Sequence, residues 1–220
     1  MNEFFREVDE EYRRDRVMQI WKRYNGVIIA LAVALVAAVG GWRYWQHLER
    51  TRAEAAAAQF ESALQLDREG KSEEAEKALA TMAGSAPDGY STLARFRLAA
   101  EIGQRSPEEG AKSFDALAGD ARVNPMMQDL ARLRSAMLRL DTPEAQAAQG
   151  SLERLATPSN AWRHTARELL GLLGLKRGDY DFASRWFDQI AADRETPAGL
   201  RSRLEIYAAL AAAGPAQVTQ

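Results

Sequence analysis

The chain offers few side chains with which to do chemistry. Its two histidines, His47 and His164, lie far apart, and it contains no cysteine. A zinc site needs clustered nitrogen or sulfur ligands, and His164, in Trp162-Arg163-His164, has no second histidine within a turn or two. It is expected to be a surface or interface residue. Adjacent carboxylates could share acid–base work, yet Glu73-Glu74 and Glu108-Glu109 fall where helices begin, and there the macrodipole alone favours acids. Serines and aspartates occur without a histidine that spacing could bring to them, which leaves nucleophilic catalysis without a candidate. No GxSxG elbow, P-loop or GxGxxG motif is present. The expectation is a non-enzyme, with no catalytic, cofactor or metal site. Lys and Arg number 29 against 31 Asp and Glu, a net charge of -2. A general nucleic-acid binder needs a cationic surplus to displace counterions, so nucleic acid is excluded as a partner.

With no chemistry to position, the elements themselves carry the information. Residues 24–42 form an uncharged run, YNGVIIALAVALVAAVGGW. As a helix it would span roughly 28 Å, near the ~30 Å thickness of a bilayer core. Trp21 and Tyr24 at one end, and Trp42 and Trp45 at the other, place amphipathic rings at both membrane interfaces. A cleaved signal peptide is the rival reading. The long acidic leader and the Val39-Gly40-Gly41-Trp42 ending, which lacks a small-x-small cleavage site, argue against it.

Six cations precede the run (Arg6, Arg13, Arg14, Arg16, Lys22, Arg23) and three follow it closely (Arg43, Arg50, Arg52), which puts the N-terminus in the cytoplasm. Residues 1–23 are expected as a cytoplasmic amphipathic segment carrying Phe4, Val8 and Tyr12 at helical spacing. Residues 24–42 cross the membrane, 43–52 link, and 53–220 form a soluble domain outside, in the periplasm if the source is bacterial.

Beyond residue 53 helical segments alternate with breaks at Gly70, Ala86-Pro87-Asp88-Gly89, Ser106-Pro107, Asn124-Pro125, Thr142-Pro143, Thr157-Pro158, Gly178-Asp179 and Thr196-Pro197. Ser106-Pro107 and Thr142-Pro143 read as helix starts, with a hydroxyl to cap free amides and proline in the first turn. No alternating or valine/isoleucine-rich run suggests a strand, so the domain is expected to be all-α. From Trp162 to Pro197 the order Leu170-Gly171, Gly178-Asp179-Tyr180, Ala183, Phe187 and Ile190 resembles the tetratricopeptide repeat, a helix-turn-helix unit of about 34 residues. Gly174 replaces the usual tyrosine, and Arg167 the common tryptophan. Weaker copies align Leu79, Phe114, Leu152 and Phe187, separated by 35, 38 and 35 residues. Four hairpins and a capping helix, Leu200 to Ala213, would stack into a solenoid.

In such repeats Gly171 and Ala183 permit close helix approach, while Phe187 and Ile190 fill the space between units. The first helix of each pair lines the concave side. Leu172 and Leu175 lie off the packing face of their helix and are the peptide-groove candidates, suited to extended apolar segments.

The whole layout, a charged N-terminus, Trp21-Lys22-Arg23-Tyr24 leading into one membrane helix, and an alanine-rich repeat domain, resembles the ancillary Sec-translocon subunit family of bacterial inner-membrane proteins. The resemblance implies a periplasmic scaffold that associates with the Sec channel and presents its repeats to chaperones or emerging secreted chains. It carries over no individual functional residue. A scaffold for cell division or cytochrome maturation, or the membrane-anchoring subunit of an enzyme complex, would share the same anchor and repeats.

Overall fold

The protein is described here by a computed structural model whose backbone is defined for residues 3–214, with side chains defined for Met18 and residues 21–214. Contacts divide the chain into two units, Met1–Ala55 and Ala56–Gln220. All described secondary structure is helical.

The first unit is formed by α1 (Glu3–Arg68), which also supplies its last turns, from Ala56, to the second unit. It holds the one described helix long and apolar enough to cross a membrane, with a window of mean hydropathy 2.0 and none of that window buried. Val33, Leu35 and Val36 are all more than 60% exposed, a surface that water would not tolerate and lipid would. The residues expected as a linker, 43–52, are helical. The proposed amphipathic face of Phe4, Val8 and Tyr12 lies outside the residues whose side chains are described.

The second unit continues with α2 (Ser72–Ser85), α3 (Asp88–Arg105), α4 (Pro107–Ala118), α5 (Pro125–Arg139), α6 (Ala145–Leu155), α7 (Arg163–Arg177), α8 (Tyr180–Ala192) and α9 (Ala198–Ala213). Local chemistry sets the breaks. Gly70 and Gly178 both adopt positive φ, 78° and 71°, where a side chain would be strained. Each is followed by the same closure: Lys71 N–H donates to Leu66 O and Asp179 N–H to Gly174 O, both at 2.9 Å. The Asp179 carboxylate then accepts from Phe182 N–H at 3.0 Å and starts α8. Ser106 Oγ and Asn124 Oδ1 cap α4 and α5 in the same manner, each ahead of a proline in the first turn.

Thr142-Pro143 departs from the expected helix start. The Thr142 hydroxyl accepts from Glu144 N–H at 3.2 Å, and Arg139 holds the Glu144 carboxylate at 2.6 Å. Those residues are spent on a turn, and α6 begins only at Ala145.

Packing is serial, and each buried cluster joins consecutive helices. Ala63, Leu79, Met82 and Ala94 unite the end of α1 with α2 and α3. Ala99, Phe114, Leu117 and Ala131 unite α3, α4 and α5. Leu133, Leu152, Leu155 and Leu170 unite α5, α6 and α7. Ala183, Phe187, Ile190, Leu200 and Leu204 join α8 to α9. No hairpin buries its apolar face alone, so the core is a chain of nearest-neighbour interfaces. Two glycine contacts set how closely paired helices approach. A Cβ on Gly110 would stand 2.7 Å from Gly103 N, which places α3 and α4 backbone against backbone. A Cβ on Gly174 would stand 2.8 Å from Ala183 N, which does the same for α7 and α8.

Candidate functional site

Trp21, Tyr24, Trp42 and Trp45, the residues expected at the membrane interfaces, are all exposed on α1. Trp21 and Trp42 stand roughly 31 Å apart along a helix rising ~1.5 Å per residue, a bilayer core apart. Trp42 and Trp45 bring their rings to 5.6 Å, and the Arg23 guanidinium lies 5.8 Å from the centre of the Tyr24 ring.

In the last hairpin Gly171 faces Phe187, and a Cβ there would stand 2.6 Å from Phe187 Cζ. Phe187 stacks on Tyr207 of α9 at 5.6 Å and lies in one buried cluster with Ala183 and Ile190. The two groove candidates part company. Leu175 is half-buried and packs with Tyr207 against that same cluster, whereas Leu172 is half-buried and belongs to none of the buried clusters of the described residues.

Of the two places expected for His164, surface or interface, the structure gives the second: it lies where α7 meets the α8–α9 loop. Its side chain is 12% exposed, with Nε2 3.8 Å from Asp193 Oδ2 and Nδ1 3.4 Å from Thr196 Oγ1. The cause is the start of α7 at Arg163, which turns its first side chains onto the α8–α9 loop. Burial lowers the His164 pKa, helped by the neighbouring Arg163 charge and opposed by Asp193. Asp193 is the hub: it takes Arg163 Nε at 3.0 Å and Arg167 Nη1 at 3.2 Å. The hydrogen bond from Arg163, with one from Glu195 N–H, holds the Asp193 pKa down to about 2. Arg167 is buried and also donates to Ala156 O at 3.0 Å, which ties the third hairpin to the fourth. An arginine at a site where tryptophan is common was the sequence signal for this network. Its aspartate partner, in the loop between α8 and α9, was not legible. Among the described residues no group of three or more His, Cys, Asp or Glu side chains could hold a metal.

A feature without a sequence signal lies between α3 and α5, the first helices of the second and third hairpins. There a cavity of about 550 Å³ opens over Phe96, Phe114, Leu130 and Met137, with Gln104 and Arg134 also lining it. Phe114 is buried, while Met137 is 38% exposed. The other neighbouring first helices are cross-linked by polar side chains. Arg97 meets Asp67 at 2.5 Å between α3 and the end of α1. Trp162 Nε1 donates to Met126 O at 3.0 Å, and Lys176 Nζ to Leu140 O at 2.9 Å, along α5 and the α7 segment. Arg203 meets Glu168 at 3.0 Å between α9 and α7. Among the described residues no hydrogen bond or ion pair joins α3 to α5.

Stacked helical hairpins with a lined cavity on the first-helix side, carried with one apolar N-terminal helix, define a class. The chain belongs to the tetratricopeptide repeat-like domain family, which matches residues 19–206. It is also similar to the ancillary SecYEG translocon subunit of Escherichia coli (strain K12), with 28% identity over 195 residues, covering 86% of this chain and 91% of that protein. No solved structure matches it.

Proposed function

We propose that the protein is a single-pass inner-membrane scaffold that attaches to the Sec translocon and presents its repeat domain, on the periplasmic side, to chaperones or emerging secreted chains. The observation that carries this reading is the similarity to the ancillary SecYEG translocon subunit, which runs through both the apolar helix and the repeats. The geometry agrees with it. One apolar stretch of bilayer length within α1 carries aromatic residues at both ends, and the six-to-three excess of cations before it favours a cytoplasmic N-terminus. Residues 43–220 hold 23 cations and 25 anions, a charged composition that suits a soluble domain. Repeats that expose an apolar cavity suit a binding surface for protein segments.

Photocrosslinkers placed in residues 24–42 of the full chain in native membranes test the attachment. Adducts with the translocon channel are expected. Adducts exclusively with division, cytochrome-maturation or enzyme-complex proteins would overturn it in favour of those assemblies.

A further inference from the structure

We propose that the cavity between α3 and α5 holds an extended segment of a partner polypeptide that inserts bulky apolar side chains over Phe96, Phe114 and Met137 and sets a carboxylate on Arg134. This rests on the reading of the repeats as a protein-binding surface and names where, and with what chemistry, they bind.

Volume comes first. About 550 Å³ is within the range of pockets that enclose a small ligand or a few side chains, ~300–1,000 Å³. The floor is aromatic and aliphatic, with the Phe96 and Phe114 rings edge to face at 5.7 Å. Such a floor gains from covering apolar side chains.

The polar groups select further. Two arginines line the cavity, and they are not equivalent. Arg97 is neutralised by Asp67 at 2.5 Å and Glu101 at 2.6 Å. Arg134 is exposed and makes no ion pair or hydrogen bond among the described residues, although most arginines of the repeat domain pair with an acid. It sits on α5 between Leu130 and Met137, so its unmatched charge stands in the middle of the apolar stretch. The complementary ligand is therefore apolar with a carboxylate, and an apolar segment carrying lysine at that point is disfavoured. Gln104, likewise without an intramolecular partner among the described residues, both donates and accepts, as pairing with an extended peptide group requires.

The seam explains why the cavity is here. Polar side chains cross-link α1 to α3, α5 to α7 and α7 to α9, and among the described residues only the α3–α5 seam lacks such a link. It is the seam left open for an occupant. The aromatic floor belongs to the second hairpin and the free cation to the third, so the occupant bridges two repeats.

The test uses full-length protein in lipid nanodiscs and fluorescent synthetic peptides of alternating leucine and serine. One peptide carries a central glutamate, a second carries lysine in its place, and a third has every leucine replaced by serine. Wild type is expected to bind the glutamate peptide about fivefold to tenfold more tightly than the lysine peptide, and the all-serine peptide not at all. Arg134→Glu is expected to reverse the order of the first two, and Met137→Asn to weaken both. Both side chains are exposed, so melting temperatures should match wild type. Equal affinities of the two charged peptides for wild type, or an unchanged order in Arg134→Glu, would overturn the proposal. So would a doubling of mass in solution that Arg134→Glu abolishes, since the occupant would then be a second copy. Crosslinking from α1 runs in parallel: translocon adducts without peptide discrimination overturn the cavity alone, and discrimination without those adducts overturns the translocon reading alone.

Discussion

The contact between α3 and α4 yields the most demanding prediction, because the same substitution should have opposite signs at two helical glycines. Alanine at Gly110 would place its Cβ 2.7 Å from Gly103 N, where no side chain is available to rotate away. The helices must separate by several tenths of an ångström, and a gap of that size forfeits a quarter or more of each dispersion contact along the seam. Overpacking of this kind costs about 1–3 kcal/mol, and backbone against backbone belongs at the upper end. Alanine returns ~1 kcal/mol of helix propensity, which leaves a net loss of about 2 kcal/mol. Gly150 in α6 has nothing within 4 Å of a new Cβ, so Gly150→Ala keeps the propensity gain, about 0.5–1 kcal/mol. For a domain of this size each kcal/mol moves the melting temperature by roughly 2–4 °C. Circular dichroism melts of the full-length protein in detergent should therefore show Gly110→Ala falling by about 4–8 °C and Gly150→Ala rising by about 1–4 °C. Equal shifts, or a rise at both, would refute the argument from close approach.

Other outcomes follow from particular contacts. A reporter active only outside the cytoplasm should work when fused after Gln220 and be silent at residue 20; the reverse sinks the proposed orientation. Leu175→Ser should lower stability by about 1–2 kcal/mol because Leu175 packs with Tyr207 on the last core cluster, whereas Leu172→Ser should melt within about 0.5 kcal/mol of wild type, as denaturant titration would show. Stability should decline on acidification from pH 7 to 5. The folded His164 has a pKa below the ordinary 6.5, so the unfolded chain takes up the proton first, and the contribution present above 6.5 is lost as pH falls. Asp193 adds its own loss only at lower pH, between 3.8 and about 2. His164→Gln should flatten the pH 5–7 decline; an undiminished slope would assign it elsewhere.

The sequence by itself determined what depends on local chemistry. An uncharged run of bilayer length is a helix wherever it sits. Gly70 and Gly178 end helices because only glycine adopts their φ without strain. Small and bulky residues recurring at about 34-residue intervals sufficed to reveal stacked hairpins. The helix start was misplaced at Thr142-Pro143, where Thr142 accepts from the Glu144 N–H in a turn and Arg139, from the preceding helix, holds the Glu144 carboxylate. Tertiary structure alone decided the rest, because those features join residues that spacing does not relate. Gly103 meets Gly110 across a hairpin whose loop differs in length from that of the fourth repeat. Asp193 gathers Arg163, Arg167 and His164 from about 30 positions away, and it is burial of that cluster that takes His164 off the surface. Whether a leucine on a first helix lines a groove or fills a core depends on the next helix: α9 covers Leu175 through Tyr207. The cavity over Phe114 lies at the seam that, among the described residues, lacks the polar cross-links of its neighbours, and a missing long-range contact leaves no pattern in a sequence.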